Sequence, residues 1–436
     1  LEGWLAMQEI SFSKTYCHDE ERTYVRLPFD VPEDTDRIEV SYEYPRFREE
    51  PLEDGIRRRE VNIVDLGLYT PDGILRGWSG SDRDHAFVAS YDATAGYRRG
   101  PVSAGTWAVA LGIYKVESSV QVQVSVRIIP KERLWLAGDL HMHTLNSDGK
   151  LSTAEVIDAC RRTGLDYIAL TDHNNTEQDS EIGNPQGLTV IAGMEYTNYR
   201  GHANFFFPEG ARSFVGDPLS NSRRQMLDTL REASRAGALI SLNHPHCDFC
   251  PWEFGFEEVP YDMVEVWNGP MKPSELRAID WWHSQLCAGR RLAAIGGSDT
   301  HRIERLRLHG TPTTFVHARS RSVNDILEAL RTGHSFITET ISGPRLYLAS
   351  GEAEAGDAVE AGGTATVTVK NAKAGDVLLV KDGKGSILRK EVAYAGEVSF
   401  PFEIERDALF YRAELYRPSL GTMMLCALTN AMYVVV

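Results

Sequence analysis

Thirteen histidines occur in the chain, and eight of them fall between positions 141 and 301, close to carboxylates at short spacings. His141 and His143 are two residues apart, as are Asp299 and His301. In an extended segment, side chains two apart leave on the same side, so each pair can hold one ion. Further candidates stand where apolar runs stop: DYIALTDH ends in Asp172 and His173, VIAGMEYT passes through Glu195, ALISLNH ends in His244 and VEVWN in Asn268. His202 instead opens the strand-like HANFFF. Imidazole mixed with carboxylate suits Zn, Mn or Fe, whereas Ca and Mg sites are usually all oxygen. One His-x-His alone is ordinarily a surface feature or part of a hydrogen-bonded core. Four or five strand ends converging are different, because burying so many ionisable groups unpaired costs several kcal/mol each. The pattern predicts a metal centre.

The elements that must position these groups follow from periodicity. From about Thr23 to Ile129 the chain reads as strands, ending in VQVQVSVRII, which alternates apolar and polar positions over 120–129 as a half-buried strand must. Pro71-Asp72-Gly73 and Gly100-Pro101 mark turns there, so residues 1–133 are expected to form an antiparallel β-sandwich-like domain. From 134 to 340 short apolar strands alternate with helical segments. A capping box, Ser152 with Glu155, opens one helix and Gly164 stands where it should stop. Further helices are expected within 220–236, within 274–289 and from Ser322 to Arg331, each leading to the next strand or to the segment's end. Such alternation predicts a parallel α/β sheet, open or closed into a barrel whose reactive groups collect at the strand ends. After Gly343-Pro344 the strand rhythm returns, which predicts a second β-domain over 341–436.

Composition excludes several function classes. The 436-residue chain carries 46 Lys+Arg against 62 Asp+Glu, a net charge of -16, which repels phosphate backbones and anionic bilayers. A nucleic-acid polymer or a membrane is therefore disfavoured as partner, and a small molecule is favoured. No apolar run approaches the roughly 20 residues of a membrane-spanning helix. With no signal-peptide pattern at the start that is given, a cytoplasmic setting is expected. The six cysteines are too scattered for a disulfide scaffold, and Cys247 with Cys250 makes a lone C-x-x-C, half of what a zinc or redox motif needs.

The string GDLHMHTLNSDGKLSTAEVIDACRRTGLDYIALTDHN, followed in order by GMEYTNYRGHANFF, LNHPH and GGSDTH, resembles the PHP family (polymerase and histidinol phosphatase) over about residues 134–340. WWHSQLCAGRRLAAIGGSDTH and EALRTGHSFIT further resemble the subgroup named after the carbaryl hydrolases CehA and McbA. The resemblance implies an α/β fold, a distorted (β/α)7 barrel flanked here by N-terminal and C-terminal β-sandwich-like domains. It also implies two or three divalent ions. His141, His143, Glu195 and Asp299 would hold the first, Glu195 would bridge to a second held by His202 and His244, and Asp148, His173 and His301 would hold a third. Asp172 and Asn243 would orient neighbouring ligands.

What the resemblance implies chemically is a phosphoesterase acting on a small phosphate ester or nucleotide through a metal-bridging hydroxide. No G-x-S-x-G elbow offers a serine nucleophile. His246 and His283 are candidate proton donors to the leaving group, and Arg200, Arg302, Arg305 and Lys272 are candidate phosphate-binding groups, with Arg302 placed closest to the ligands in sequence. Glu195, Arg302 and His246 form the candidate catalytic set. The main rival keeps the metals but attacks an aryl ester or carbamate, which calls for an aromatic pocket built from groups such as Phe205, Phe207, Trp252 and Phe254. A rival of another class is a silent scaffold that only binds. Trp281 and Trp282 are expected to pack as structure.

Overall fold

The computed structural model describes residues 7–53, 55–183, 185–211, 216–217, 221–305, 307–419 and 421–435. The chain divides into two compact units, Leu1–Glu132 and Arg133–Val436. In the first, two four-stranded antiparallel sheets share one core. One runs in the order Gln8–Cys17, Ser119–Pro130, Thr35–Glu43, His85–Ala89, and the other Thr23–Val31, Gly105–Lys115, Ile63–Tyr69, Leu75–Gly80. The alternation read in the sequence explains the packing: Val120, Val122, Val124, Val126 and Ile128 all face the core, against Phe29, Leu66 and Leu111 from the opposite sheet.

The second unit is mixed α/β, with many strands and few helices. Its sheet runs through Ala293–Gly297, Met263–Asn268, Leu239–Leu242, Gly201–Phe207, Thr189–Asn198, Tyr167–Leu170, Leu134–Asp139, Thr313–Ala318 and Ser335–Thr338. Pairing is parallel between Leu134–Asp139, Tyr167–Leu170 and Thr189–Asn198, and again between Leu239–Leu242, Met263–Asn268 and Ala293–Gly297. It is antiparallel on both sides of Gly201–Phe207. Regular β/α alternation therefore breaks at a hairpin, Thr189–Asn198 turning directly into Gly201–Phe207 with no helix between them. The helices that do form lie close to their expected places: Thr153–Thr163, capped by Ser152 and closed by Gly164 at φ 87°, then Arg223–Arg235, Pro273–Cys287 and Val323–Thr332.

The sheet does not stop at the predicted boundary near 340. Ser335–Thr338 pairs antiparallel with Thr422–Thr429, Phe336 opposite Thr429 and Thr338 opposite Ala427. The sheet continues through Phe410–Ser419, Val377–Asp382 and Gly385–Glu391. Residues 341–436 are thus tied to the α/β part by main-chain hydrogen bonds, a register that strand periodicity alone does not reveal.

Ala293–Gly297, the first strand of this row, meets Thr313–Ala318 at Thr314. Its hydroxyl accepts from the Gly296 N–H at 3.0 Å and donates to the Gly296 carbonyl at 2.8 Å, and both residues are buried. This stitch holds the strand whose end carries Asp299. The next residue, Gly297, passes so close to its neighbour that a Cβ there would lie 2.4 Å from the Cβ of His141. Thr314→Val keeps the shape and removes the Gly296 partner, at an expected cost of about 1–3 kcal/mol. Chemical unfolding should show the lowered midpoint, and Thr314→Ser should restore most of it. Equal midpoints for Thr314→Val and the parent would show that the stitch contributes nothing.

Candidate metal centre

Glu195 lies at the middle of the candidate site, 1% exposed, on the strand Thr189–Asn198. The hairpin register places Glu195 opposite Asn204 and Thr197 opposite His202. Residues two apart share a face, so Glu195 and His202 project to the same side. That explains how two groups only seven residues apart in sequence reach one point. Five imidazoles surround the carboxylate. Oε1 is 3.3 Å from His141 Nε2, 3.2 Å from His202 Nδ1 and 3.4 Å from His244 Nε2. Oε2 is 3.0 Å from His173 Nδ1 and 3.6 Å from His143 Nε2.

The remaining candidate ligands extend this nucleus. Asp299 Oδ1 is 3.6 Å from His141, 3.2 Å from His143 and 3.4 Å from His301. Asp148 Oδ1 is 3.0 Å from His301 and 3.5 Å from His173. The structure thus brings all nine predicted positions into one network. Ligand atoms fall within 4.8 Å of one another in three groups: His141, His143 and Glu195; His143, Asp148, His173 and His301; and His202, His244 and Cys250. His143 takes part in two of them, whereas the family pattern uses it once.

Strand ends are tied together by main-chain hydrogen bonds. Asp299 N–H donates to the His141 carbonyl at 2.7 Å, His143 N–H to Thr300 at 3.0 Å, Glu195 N–H to Asp172 at 3.1 Å and Asn243 N–H to His202 at 3.0 Å. Two candidate ligands sit in the left-handed region, His244 at φ 29° and Asp299 at φ 50°. Such conformations cost of order 1–3 kcal/mol and persist where surrounding structure holds them.

Charge explains the electrostatics. Burial pushes the Glu195 carboxyl up, but the fields of His141 and His202 outweigh it and hold it well below the usual carboxylate range. Asp299 behaves alike, held down by His141 and His143. Burial would lower His141, yet Glu265 and Glu195 lift it well above an ordinary imidazole. Burial likewise opposes the charge on His244, and Glu195 and Glu265 raise it to about 9. His143 goes the other way, lowered chiefly by burial. Two buried nitrogens, His141 Nε2 and His202 Nδ1, have no hydrogen-bond partner although both face Glu195, and a divalent ion fits that arrangement of donors.

The outer shell contains one residue that the sequence reading passed over. Glu265 Oε1 accepts from His141 Nδ1 at 3.0 Å, and its Oε2 accepts from the His244 N–H at 3.0 Å and from Asn268 Nδ2 at 3.1 Å. It orients two candidate ligands at once. The signal was available: Glu265 is the one charged residue in the otherwise apolar MVEVW, and all six residues of that strand are buried. Asn243 donates to Glu195 Oε1 at 2.8 Å. Asp172 accepts from the N–H and hydroxyl of Thr144, each at 2.8 Å, and from Ser147, so it shapes the loop after His143 instead of touching a ligand side chain.

The predicted substrate groups fare differently. Arg302 is exposed and paired with Glu304, and Arg305 is exposed. Arg200 is bound to Glu253 and lies over the Phe254 ring at 4.8 Å. Lys272 pairs with Glu275 at 3.2 Å. The arginine that reaches the cluster is Arg307, whose Nη1 lies 3.2 Å from Asp299 Oδ2 and donates to the Asp299 carbonyl at 2.7 Å. His246 has Phe256 and Trp281 as ring neighbours, and burial with Arg277 nearby lowers it below the ordinary imidazole value, a direction that disfavours the charged form of a proton donor. His283 accepts from Arg412 Nε at 3.1 Å and is lowered to about 4 by burial and Arg412. Phe205, Phe207, Trp252 and Phe254 are all buried with the helix Arg223–Arg235 in one apolar cluster, and do not form an open aromatic pocket.

Two outcomes test the centre. A ligand imidazole must be neutral, and His244 is charged below about 9, so metal uptake at pH 7.5 should expel protons and tighten as pH rises towards 9. Calorimetric zinc titrations in buffers of different ionisation enthalpy should give different apparent enthalpies, and buffer-independent enthalpies would contradict the assignment. Glu265→Gln should weaken metal binding about 10–100-fold, as read by competition with a chromogenic chelator.

Comparison with known proteins agrees with this segment of the chain. Residues 139–242 match the model of the PHP domain. A stretch of 99 residues is 49% identical to the DNA polymerase/3'-5' exonuclease PolX of Bacillus subtilis, covering 20% of this chain and 16% of that polymerase. Among solved structures, a two-domain protein containing a predicted PHP-like metal-dependent phosphoesterase from Bacteroides vulgatus is 20% identical, with 68% of this chain and 95% of that one covered at a TM-score of 0.42. An amidohydrolase from Chromobacterium violaceum, with bound sulfate and no metal, is 18% identical, with 44% and 96% covered at 0.32. The segment that carries His141 through Leu242, Glu195 near its centre, is the part of the chain that matches the PHP domain.

Proposed function

We propose that this chain is a metal-dependent phosphoesterase that hydrolyses a small phosphate ester, its chemistry carried by a distorted (β/α)7-type PHP barrel within residues 134–340. The observation that supports it most is Glu195, a fully buried carboxylate with five imidazole nitrogens at 3.0–3.6 Å. His141, His143, Glu195 and Asp299 would hold one divalent ion, His202 and His244 a second shared through Glu195, and Asp148, His173 and His301 a third. Such ions, Zn, Mn or Fe by donor type, supply Lewis acidity that acidifies water and neutralises charge building up on a phosphoryl oxygen. The chain's own groups set the stage. Glu265 and Asn243 fix ring and carboxylate orientation, and Arg307 anchors Asp299 while bringing a guanidinium to the anionic side of a substrate. The partner is a small molecule, and the setting is a reducing one such as the cytoplasm.

An aryl ester or carbamate substrate is the second reading, in keeping with the CehA/McbA-like subgroup. What favours it is a different aromatic group from the one expected: Trp281 and Phe256, both partly exposed, lie 4.2 Å apart with their rings tilted, beside His246 on the loop that follows His244. Assays of p-nitrophenyl phosphate, its diester and 1-naphthyl acetate on metal-reconstituted protein separate the two. The phosphate substrates should be preferred, turnover should be abolished by a chelator and restored by metal, and Glu195→Gln should lose more than the roughly 100-fold typical of an outer-shell change. A preference for the acetate by several orders of magnitude would replace the first reading with the second. Absence of turnover in metal-replete protein would leave only a binding scaffold.

A further inference from the structure

Cys247 and Cys250 lie on the loop that follows His244, and the chemistry proposed above uses neither. Cys250 Sγ is 3.7 Å from His244 Nδ1, while the other nitrogen of that ring, Nε2, faces Glu195 Oε1 at 3.4 Å. The arrangement repeats the one at His141, where Nε2 faces Glu195 and Nδ1 meets Glu265. In each case a group behind the ring holds the nitrogen that does not face the cluster, which fixes the tautomer and the ring's aim. At His141 that group is a carboxylate; at His244 it is a sulfur. Sulfur differs in one respect that matters. Cys247 Sγ lies 3.2 Å from Cys250 Sγ, both thiols are partly exposed, and Phe249 between them is 96% exposed, so a small disulfide can reach the pair.

We propose that Cys247 and Cys250 form a thiol–disulfide switch that sets metal affinity at the His202–His244–Glu195 position, with Cys250 as a positioning residue for His244. This rests on the metal reading of those three residues. The reaction is exchange with a low-molecular-weight disulfide of the glutathione class. The Cys247 thiolate attacks the reagent, releasing one reagent thiol, and Cys250 then displaces the other. The chain loses two hydrogens and two electrons and gains an S–S bond, and the reagent is reduced to two thiols. A disulfide sulfur carries no thiolate charge and is a poorer acceptor for the Nδ1–H of His244 than a thiolate, so the ring loses its outer partner.

The test measures zinc affinity by chelator competition on the full chain, reduced and then treated with glutathione disulfide, with intact mass read alongside. The oxidised protein should be about 2 Da lighter and should bind its weaker zinc equivalent about 10–100-fold less tightly, and a thiol reductant should reverse both changes. Cys247→Ser should bind zinc as the reduced parent does and ignore the oxidant. Cys250→Ala should bind weakly in either condition; because the parent and Cys247→Ser arms already decide the matter, its failure to fold would not rescue the proposal. Unchanged affinity in protein shown by mass to be oxidised, or no mass loss at all, would overturn it. A thiolate-to-cobalt charge-transfer band in cobalt-loaded reduced protein would make Cys250 a ligand and overturn the outer role. If the reduced parent binds no zinc, the metal reading falls and the switch with it, a result distinct from the others.

Discussion

A carboxylate cannot be buried alone. Glu195 is 1% exposed, and moving an unpaired ionised carboxyl from water into a protein interior costs far more than a domain's whole stability. The second unit solves this by surrounding the group with five imidazoles carried on four separate chain segments. Each strand end that contributes one is constrained by the same requirement. The hairpin register, the left-handed turns at His244 and Asp299 and the close passage of Gly297 past His141 all serve to bring nitrogen to oxygen.

That requirement also explains the outer layer. Rings that surround a charge must not swing away, and each needs a fixed tautomer. Glu265 does this for His141 and also holds the main chain at His244, so one buried carboxylate steadies two of the five imidazoles. Asn243 steadies Glu195 itself. Arg307 does the same for Asp299 from the outside. His141 and His244 are lifted while Glu195 and Asp299 are depressed because buried imidazoles and carboxylates face one another across the cluster. A divalent ion and a set of protons are alternative solutions to one electrostatic problem.

The two units reflect different ways to bury apolar surface. The first uses period-two alternation on two antiparallel sheets, and its strand pattern was legible because each inward residue is flanked by outward polar ones. The α/β part of the second hides its strands on both faces, so the apolar runs show where strands lie but not how they pair. Thus the antiparallel hairpin at Thr189–Phe207 and the seam to Thr422–Thr429 appear only in the fold.

What the sequence by itself determined is the chemistry of the parts: which strand ends carry imidazole and carboxylate, where helices start and stop, and a PHP-like order of motifs. These are local properties, set by residue type, capping and periodicity. Tertiary structure alone decided which groups meet. Arg302, adjacent to His301 in sequence, turns outward to Glu304, while Arg307, five residues further on, returns to Asp299. Phe205, Phe207, Trp252 and Phe254 fill a core, and Glu265 and Cys250 stand behind two candidate ligands that lie far away or in a neighbouring loop. Side-chain direction at the end of a strand depends on the turn beyond it and on what packs against it, and neither is written in the spacing of residues along the chain.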